Sequence, residues 1–141
     1  MIEKAQEKHF GSVMAIWLNT NIAAHSFIPP SYWQGMFEAV QEAMRSADVF
    51  VYHENDQVLG FIGIIDNEYI AGLFVDGNAQ SQGIGRKLLA YCKQRYQRLS
   101  LDVFTENPRA IRFYEANGFD VTGTQMNPDF AREEQRMVWS A

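Results

Sequence analysis

The chain has 141 residues, 47% of them hydrophobic and 21% charged, with a formal net charge of −5 and a single cysteine. That length suits one domain over residues 1–141 that buries its own core. The acidic balance argues against a nucleic-acid partner, which needs a basic face; no apolar run reaches the length of a membrane span; and the lone Cys92 leaves neither an internal disulfide nor a multi-cysteine zinc site.

The opening MIEKAQEKHF lacks the apolar stretch of a secretory signal, so the expected location is the cytoplasm. In chain order, residues 1–5 read as a short strand. Phe10, Val13, Met14 and Trp17 fall at i, i+3, i+4, i+7, the spacing of an amphipathic helix. That pattern fades at Asn19-Thr20-Asn21, and a loop runs to Pro29-Pro30. Ser31 reads as the N-cap of a second helix reaching about Ser46. Three strand-like runs follow: Val49–Tyr52, Val58–Ile65 and Tyr69–Val75. Turn signals at Asn55-Asp56 and Asp66-Asn67-Glu68 separate them, which predicts an antiparallel meander. After the polar stretch Asp76–Gln82, residues Ile84, Leu88, Leu89 and Cys92 line one face of a helix ending near Tyr96. Leu101–Phe104 is a strand. Asn107 caps a further helix, Pro108 opens it, and Gly118 ends it in the left-handed conformation. Phe119–Thr124 and Arg136–Ser140 are the closing strands. The order βααβββαβαββ predicts a mixed α/β domain.

The stretch Leu73-Phe74-Val75-Asp76-Gly77-Asn78-Ala79-Gln80-Ser81-Gln82-Gly83-Ile84-Gly85-Arg86 carries a strand through a glycine-containing turn into a helix. Such a turn can aim several backbone N–H groups at one point, with the helix dipole behind them, and so bind an anion such as a pyrophosphate. A nucleotide P-loop requires Gly-Lys-Ser/Thr, but Gly85 is followed by Arg86, Lys87 and Leu88. A dinucleotide fingerprint requires a third glycine, and Leu88 stands there.

The second motif is Asn107-Pro108-Arg109-Ala110-Ile111-Arg112-Phe113-Tyr114-Glu115-Ala116-Asn117-Gly118-Phe119. The two stretches together resemble the GCN5-related N-acetyltransferase (GNAT) family. Its cofactor motif Gln/Arg-x-x-Gly-x-Gly/Ala is matched by Gln80, Gly83 and Gly85. Its later motif is matched by Asn107, Ala110, Phe113, Tyr114, Gly118 and Phe119. The loop around His25 and Phe27 and the pair Tyr32-Trp33 further resemble small bacterial peptidyl-lysine N-acetyltransferases.

The resemblance implies a central, mostly antiparallel twisted sheet of about six or seven strands with helices on both faces. It implies acetyl-CoA as cosubstrate, no metal, and a primary amine as acceptor, attacked directly in a ternary complex. The acceptor is a protein lysine, with a small-molecule amine or a protein N-terminus as alternatives; a noncatalytic acyl-CoA-binding module is the alternative from another class. No membrane partner is expected, and the chain acts as a monomer or homodimer. By similarity, the backbone of Leu73, Phe74 and Val75 pairs with the pantetheine arm. The amides of Gln80, Ser81, Gln82, Gly83, Ile84, Gly85 and Arg86 hold the pyrophosphate. Asn107 bonds the pantetheine, and its cap role coexists with that. Tyr114 faces the sulfur as general acid, because a departing thiolate needs a proton. The acceptor poses the opposite problem: neutralising a lysine at pH 7 costs roughly 4.6 kcal/mol. Tyr69, Glu68 and Asp102 are the candidates for that proton. Strand alternation puts Glu68 and Tyr69 on opposite faces, and Tyr69 with residues 71, 73 and 75 on one. His25, Phe27 and Trp33 are expected at the acceptor. Asp129, Glu133 and Glu134 are read as part of a polar loop between the last two strands that could draw in a cation. Cys92 reads as a small core residue, which makes a ping-pong route through it unattractive.

Overall fold

The structure is a computed structural model and describes residues 1–141. Seven strands and four helices follow one another as β1 (Ile2–Lys4), α1 (Phe10–Ala24), α2 (Pro30–Ser46), β2 (Asp48–Glu54), β3 (Gln57–Ile65), β4 (Tyr69–Val75), α3 (Ile84–Lys93), β5 (Arg98–Phe104), α4 (Pro108–Ala116), β6 (Asp120–Asn127) and β7 (Arg132–Ser140). The strands form one sheet in the order β1-β2-β3-β4-β5-β7-β6. Every neighbouring pair is antiparallel except β4 and β5.

Alternation along the strands splits the apolar residues between two cores. Phe50, Tyr52, Ile62 and Ile64 face the side covered by α3 and α4, with Leu88, Leu89, Cys92, Tyr114 and Phe119. Val49, Val51 and Phe61 face the side covered by α1 and α2, with Val13, Met14, Trp17, Trp33 and Met44. Helices on both faces of a mostly antiparallel sheet agree with the sequence-based expectation.

Local chemistry explains most boundaries. Asp56 and Asn55 take positive φ in the β2–β3 turn, and Asp66 and Asn67 do so in the β3–β4 turn, which Asn and Asp tolerate best after glycine. At the end of α4, Phe119 N–H bonds Tyr114 C=O at 3.0 Å and Gly118 N–H bonds Glu115 C=O at 3.1 Å. With Gly118 at φ 89°, this is a Schellman ending.

Three expectations are corrected. The helix α1 runs past Asn19-Thr20-Asn21 to Ala24, because Thr20 Oγ1 bonds Ile16 C=O at 2.5 Å and Asn21 Nδ2 bonds Trp17 C=O at 2.9 Å inside the helix. Pro29, not Ser31, is the N-cap of α2, with Pro30 at its first position. Glu133 and Glu134 stand in β7, not in a loop, since that strand begins at Arg132.

Candidate active site

The parallel neighbours β4 and β5 meet at one position only, Tyr69 opposite Ser100. Beyond that apex they splay, so the inner edge of β4 from Gly72 to Val75 has no strand beside it. The cleft opens toward the segment that follows Val75 and starts α3. Its two faces differ. Leu73 and Val75 pack against the core under α3 and α4, whereas Phe74 and Phe104 pack against the core under α1 and α2.

At the mouth, Gly83 takes φ 79° and leads into α3. A Cβ there would be strained by that φ and would meet Arg86 Nη2 at 3.3 Å. The Arg86 guanidinium therefore lies over the helix N-terminus. Ser81 also has positive φ. The first bond of the helix is Lys87 N–H to Gly83 C=O, and none of the N–H groups from Gln80 to Arg86 donates within the protein. Seven consecutive free amides at a helix N-terminus, with an arginine over them, suit a pyrophosphate. An open strand edge beside them suits the amides of a pantetheine arm. The residues present thus fit coenzyme A. Gln80 Nε2 bonds Val75 C=O at 3.2 Å and ties the loop back to the strand. Gly85 has a packing role as well, since a Cβ there would meet Phe113 Cζ at 3.1 Å.

Asn107 Oδ1 accepts from Ala110 N–H at 3.2 Å and caps α4. From that helix Tyr114 enters the core, 9% exposed, with ring centroids 5.2 Å from Phe113 and 5.4 Å from Phe119. Burial alone drives its hydroxyl pKa upward, so Tyr114 carries its proton at any ordinary pH.

Tyr69 lies elsewhere than strict alternation expects. Ile64 pairs with Ile70 and Gly63 with Gly72, so Ala71 is the extra residue of a β-bulge. The bulge reverses the faces: Ile70 shares the α3/α4 core with Leu73 and Val75, and Tyr69 points to the other side. There its hydroxyl donates to Asp102 Oδ2 at 2.9 Å. Arg136 Nε and Nη2 hold the two Asp102 oxygens at 2.7 and 3.1 Å. Burial, then this bond, pushes the Tyr69 pKa up. Glu68 sits in the turn below the apex, facing Arg98 at 3.4 Å, and its carbonyl accepts from Ser100 N–H at 3.0 Å. It lies outside the cleft.

His25 and Phe27, in the α1–α2 connection, join Trp33 of α2, Phe104 of β5 and Phe130 of the β6–β7 turn in one aromatic cluster. The His25 centroid stands 5.7 Å from Phe27, 5.4 Å from Trp33 and 5.5 Å from Phe104. Burial lowers the His25 pKa, so the ring is neutral. The structure thus adds Phe104, Phe130, Arg136 and Gln125 around Asp102 and Glu134. They lie on separate strands or, for Phe130, in the β6–β7 turn, and no local spacing relates them.

Comparison with known proteins agrees with this geometry. Residues 19–135 match the family model described as "Acetyltransferase (GNAT) domain". The chain is 34% identical over 122 residues to the peptidyl-lysine N-acetyltransferase YiaC of Escherichia coli, covering 86% of this chain and 84% of that one. Among solved structures, the apo form of YjaB from E. coli superposes with a TM-score of 0.84 at 24% identity, covering 99% of this chain and 96% of that one. The PaiA N-acetyltransferase of Thermoplasma acidophilum, in complex with coenzyme A, superposes at 0.82 and 17% identity, covering 100% and 98%. A splayed sheet, a free-amide loop and a matching family model lead to one conclusion: the chain belongs to the GNAT family and is an acetyl-CoA-dependent N-acetyltransferase.

Proposed function

We propose that this enzyme acetylates the side-chain amine of protein lysines, by direct attack in a ternary complex. The observation that carries the direct route is the state of Cys92. It is fully buried, and burial pushes its thiol up to about 12. A thiol is a nucleophile only as thiolate, so Cys92 takes no part in the transfer. The lysine reading rests on the peptidyl-lysine relative and on the net negative charge of the chain.

Acetyl-CoA supplies an acyl group activated as a thioester, with a thiolate as leaving group. The amides of Gln80 to Arg86 would hold its pyrophosphate, the β4 edge at Leu73, Phe74 and Val75 would align its arm, and Asn107 would bond that arm. Tyr114 Oη keeps its proton through burial and delivers it to the departing sulfur. On the other face, the Tyr69 hydroxyl receives the proton that the attacking amine loses and passes its own to Asp102. Arg136 fixes the Asp102 carboxylate for that transfer. His25, Phe27 and Trp33 flank the approach of the acceptor. Glu68 holds the apex closed through Arg98 and Ser100.

The test offers acetyl-CoA with an equimolar mixture of a lysine peptide blocked at its N-terminus, an unblocked lysine-free peptide, and spermidine. Mass spectrometry should place the acetyl group on the lysine Nζ. Acetylation of only the free N-terminus or only spermidine would replace the acceptor assignment and leave the family intact.

A further inference from the structure

On the α1/α2 side of the cleft, Arg132 and Arg136 are each held by a carboxylate other than Glu134. Arg136 is engaged by Asp102, and Arg132 by Glu106 at 2.9 Å. Glu134 makes no direct ion pair, although it is only 8% exposed. Its carboxylate accepts from two neutral amides: Gln125 Nε2 at 3.0 Å and Asn127 Nδ2 at 3.3 Å. A buried carboxylate whose hydrogen bonds come from neutral amides has no direct ionic partner, and it favours a cation that can reach it.

Its surroundings are built for a cation. Glu134 is the register partner of Phe104 across β5 and β7, so the two side chains lie side by side on one face. Phe104 touches the rings of His25 at 5.5 Å, Phe27 at 5.5 Å and Phe130 at 5.8 Å. Aromatic faces attract cations, and Arg132 already stands over Phe27 with 5.2 Å between guanidinium carbon and ring centroid. Asn127 joins the two halves, since its Oδ1 accepts from the backbone of Asp129 and Phe130 while its Nδ2 donates to Glu134.

A second, independent observation falls at the same place. The buried side-chain polar atoms without a partner are His25 Nδ1, Trp33 Nε1 and Thr105 Oγ1. His25 touches Trp33 and Phe104, Trp33 is 92% buried, and Thr105 follows Phe104 in the chain. Unpaired buried polar groups are rare in folded proteins. Of the three, Thr105 Oγ1, and His25 Nδ1 when its ring proton sits on Nε2, can accept from an ammonium N–H, whereas Trp33 Nε1 only donates.

We infer that Glu134, walled by Phe104, Phe27 and Phe130, is the binding site for the acceptor's ammonium group and selects cationic over neutral acceptors. This rests on the acetyltransferase reading only for the identity of the occupant. The proton leaves through Tyr69 and Asp102; Glu134 supplies charge and no proton transfer, so it is a specificity residue.

The experiment titrates the wild type and Glu134→Gln with tetramethylammonium chloride, against sodium chloride at equal ionic strength, and follows tryptophan fluorescence without acetyl-CoA. The wild type should show a saturable change that the variant lacks. In turnover, tetramethylammonium should compete with the lysine peptide and not with acetyl-CoA. The variant's KM for the peptide should rise about 10- to 100-fold, as expected for losing a bond to a charged group, with kcat retained. Acetyl-CoA should stabilise both proteins equally against heat. Identical titrations in both proteins, or a fall in kcat at unchanged KM, would overturn the assignment. A wild type that binds tetramethylammonium but gains no heat stability from acetyl-CoA would instead count against the transferase reading. Should Glu134→Gln fail to fold, Phe27→Leu removes one wall and gives the same readouts.

Discussion

Tyr114 and Cys92 show how burial assigns opposite fates to two ionisable side chains. Both lie in the core under α3 and α4, and burial raises both pKa values. For Tyr114 the consequence is a retained proton, which a general acid needs. For Cys92 it is a suppressed thiolate, which silences a nucleophile. Tyr114→Phe should therefore lower kcat by about 100-fold or more, the usual scale of lost acid catalysis. Calorimetry should find acetyl-CoA affinity unchanged, and equal turnover would remove the acid role. Cys92 should resist a thiol reagent such as dithionitrobenzoate until urea unfolds the chain, and Cys92→Ala should keep its turnover. Rapid labelling of the native protein would contradict the buried placement.

At the scale of elements, two helix N-termini are proposed to hold acetyl-CoA, and each has a separable structural role. Asn107 caps α4 through Ala110 N–H. Removing a cap costs about 1 kcal/mol, so Asn107→Ala should unfold at lower urea by that amount. If its other amide atoms also contact the pantetheine, acetyl-CoA affinity should fall as well. A loss of stability at unchanged affinity would reduce Asn107 to a cap. The start of α3 behaves differently. Gly83 has φ 79° beneath the Arg86 side chain, and a branched residue cannot hold that conformation without strain. Gly83→Val should abolish the heat stabilisation given by acetyl-CoA. Unchanged stabilisation would show that the pyrophosphate binds elsewhere.

For the whole molecule, stability should fall on the acid side. Burial lowers the pKa of both His25 and His9 below 6.5. The folded chain resists protonation there while the unfolded chain takes up protons. Stability from these groups is complete above pH 6.5 and drains as pH falls through the folded values. Below 4.5 the carboxyl of Glu3, held down by its bond to His53 and then by Gln6, adds a loss of the same sign. Melting temperatures measured from pH 8 to pH 5 should decline, and His25→Phe should flatten that decline. An equal slope in the variant would place the titration elsewhere.

The order of elements and most of the turns between them were legible in the sequence because each depends on local chemistry. Turn residues at Asn55-Asp56 and Asp66-Asn67, the glycine at 118 and the apolar spacing of Ile84, Leu88 and Cys92 act within a few residues of themselves. Even there, Asn21 misled, because a polar residue that bonds back to Trp17 leaves a helix intact. What only the tertiary structure decided was everything that depends on partners far along the chain. The bulge at Ala71 arises from pairing β4 with β3, and it moved Tyr69 to the face of Asp102. The splay of β4 from β5 leaves an edge open that sequence spacing cannot record. Phe104, Phe130 and Glu134 stand on different elements with no common motif, and packing of the β6–β7 hairpin against the α1–α2 connection made them neighbours. Local propensity wrote the parts list; long-range register and burial decided which side chains share a face of the sheet.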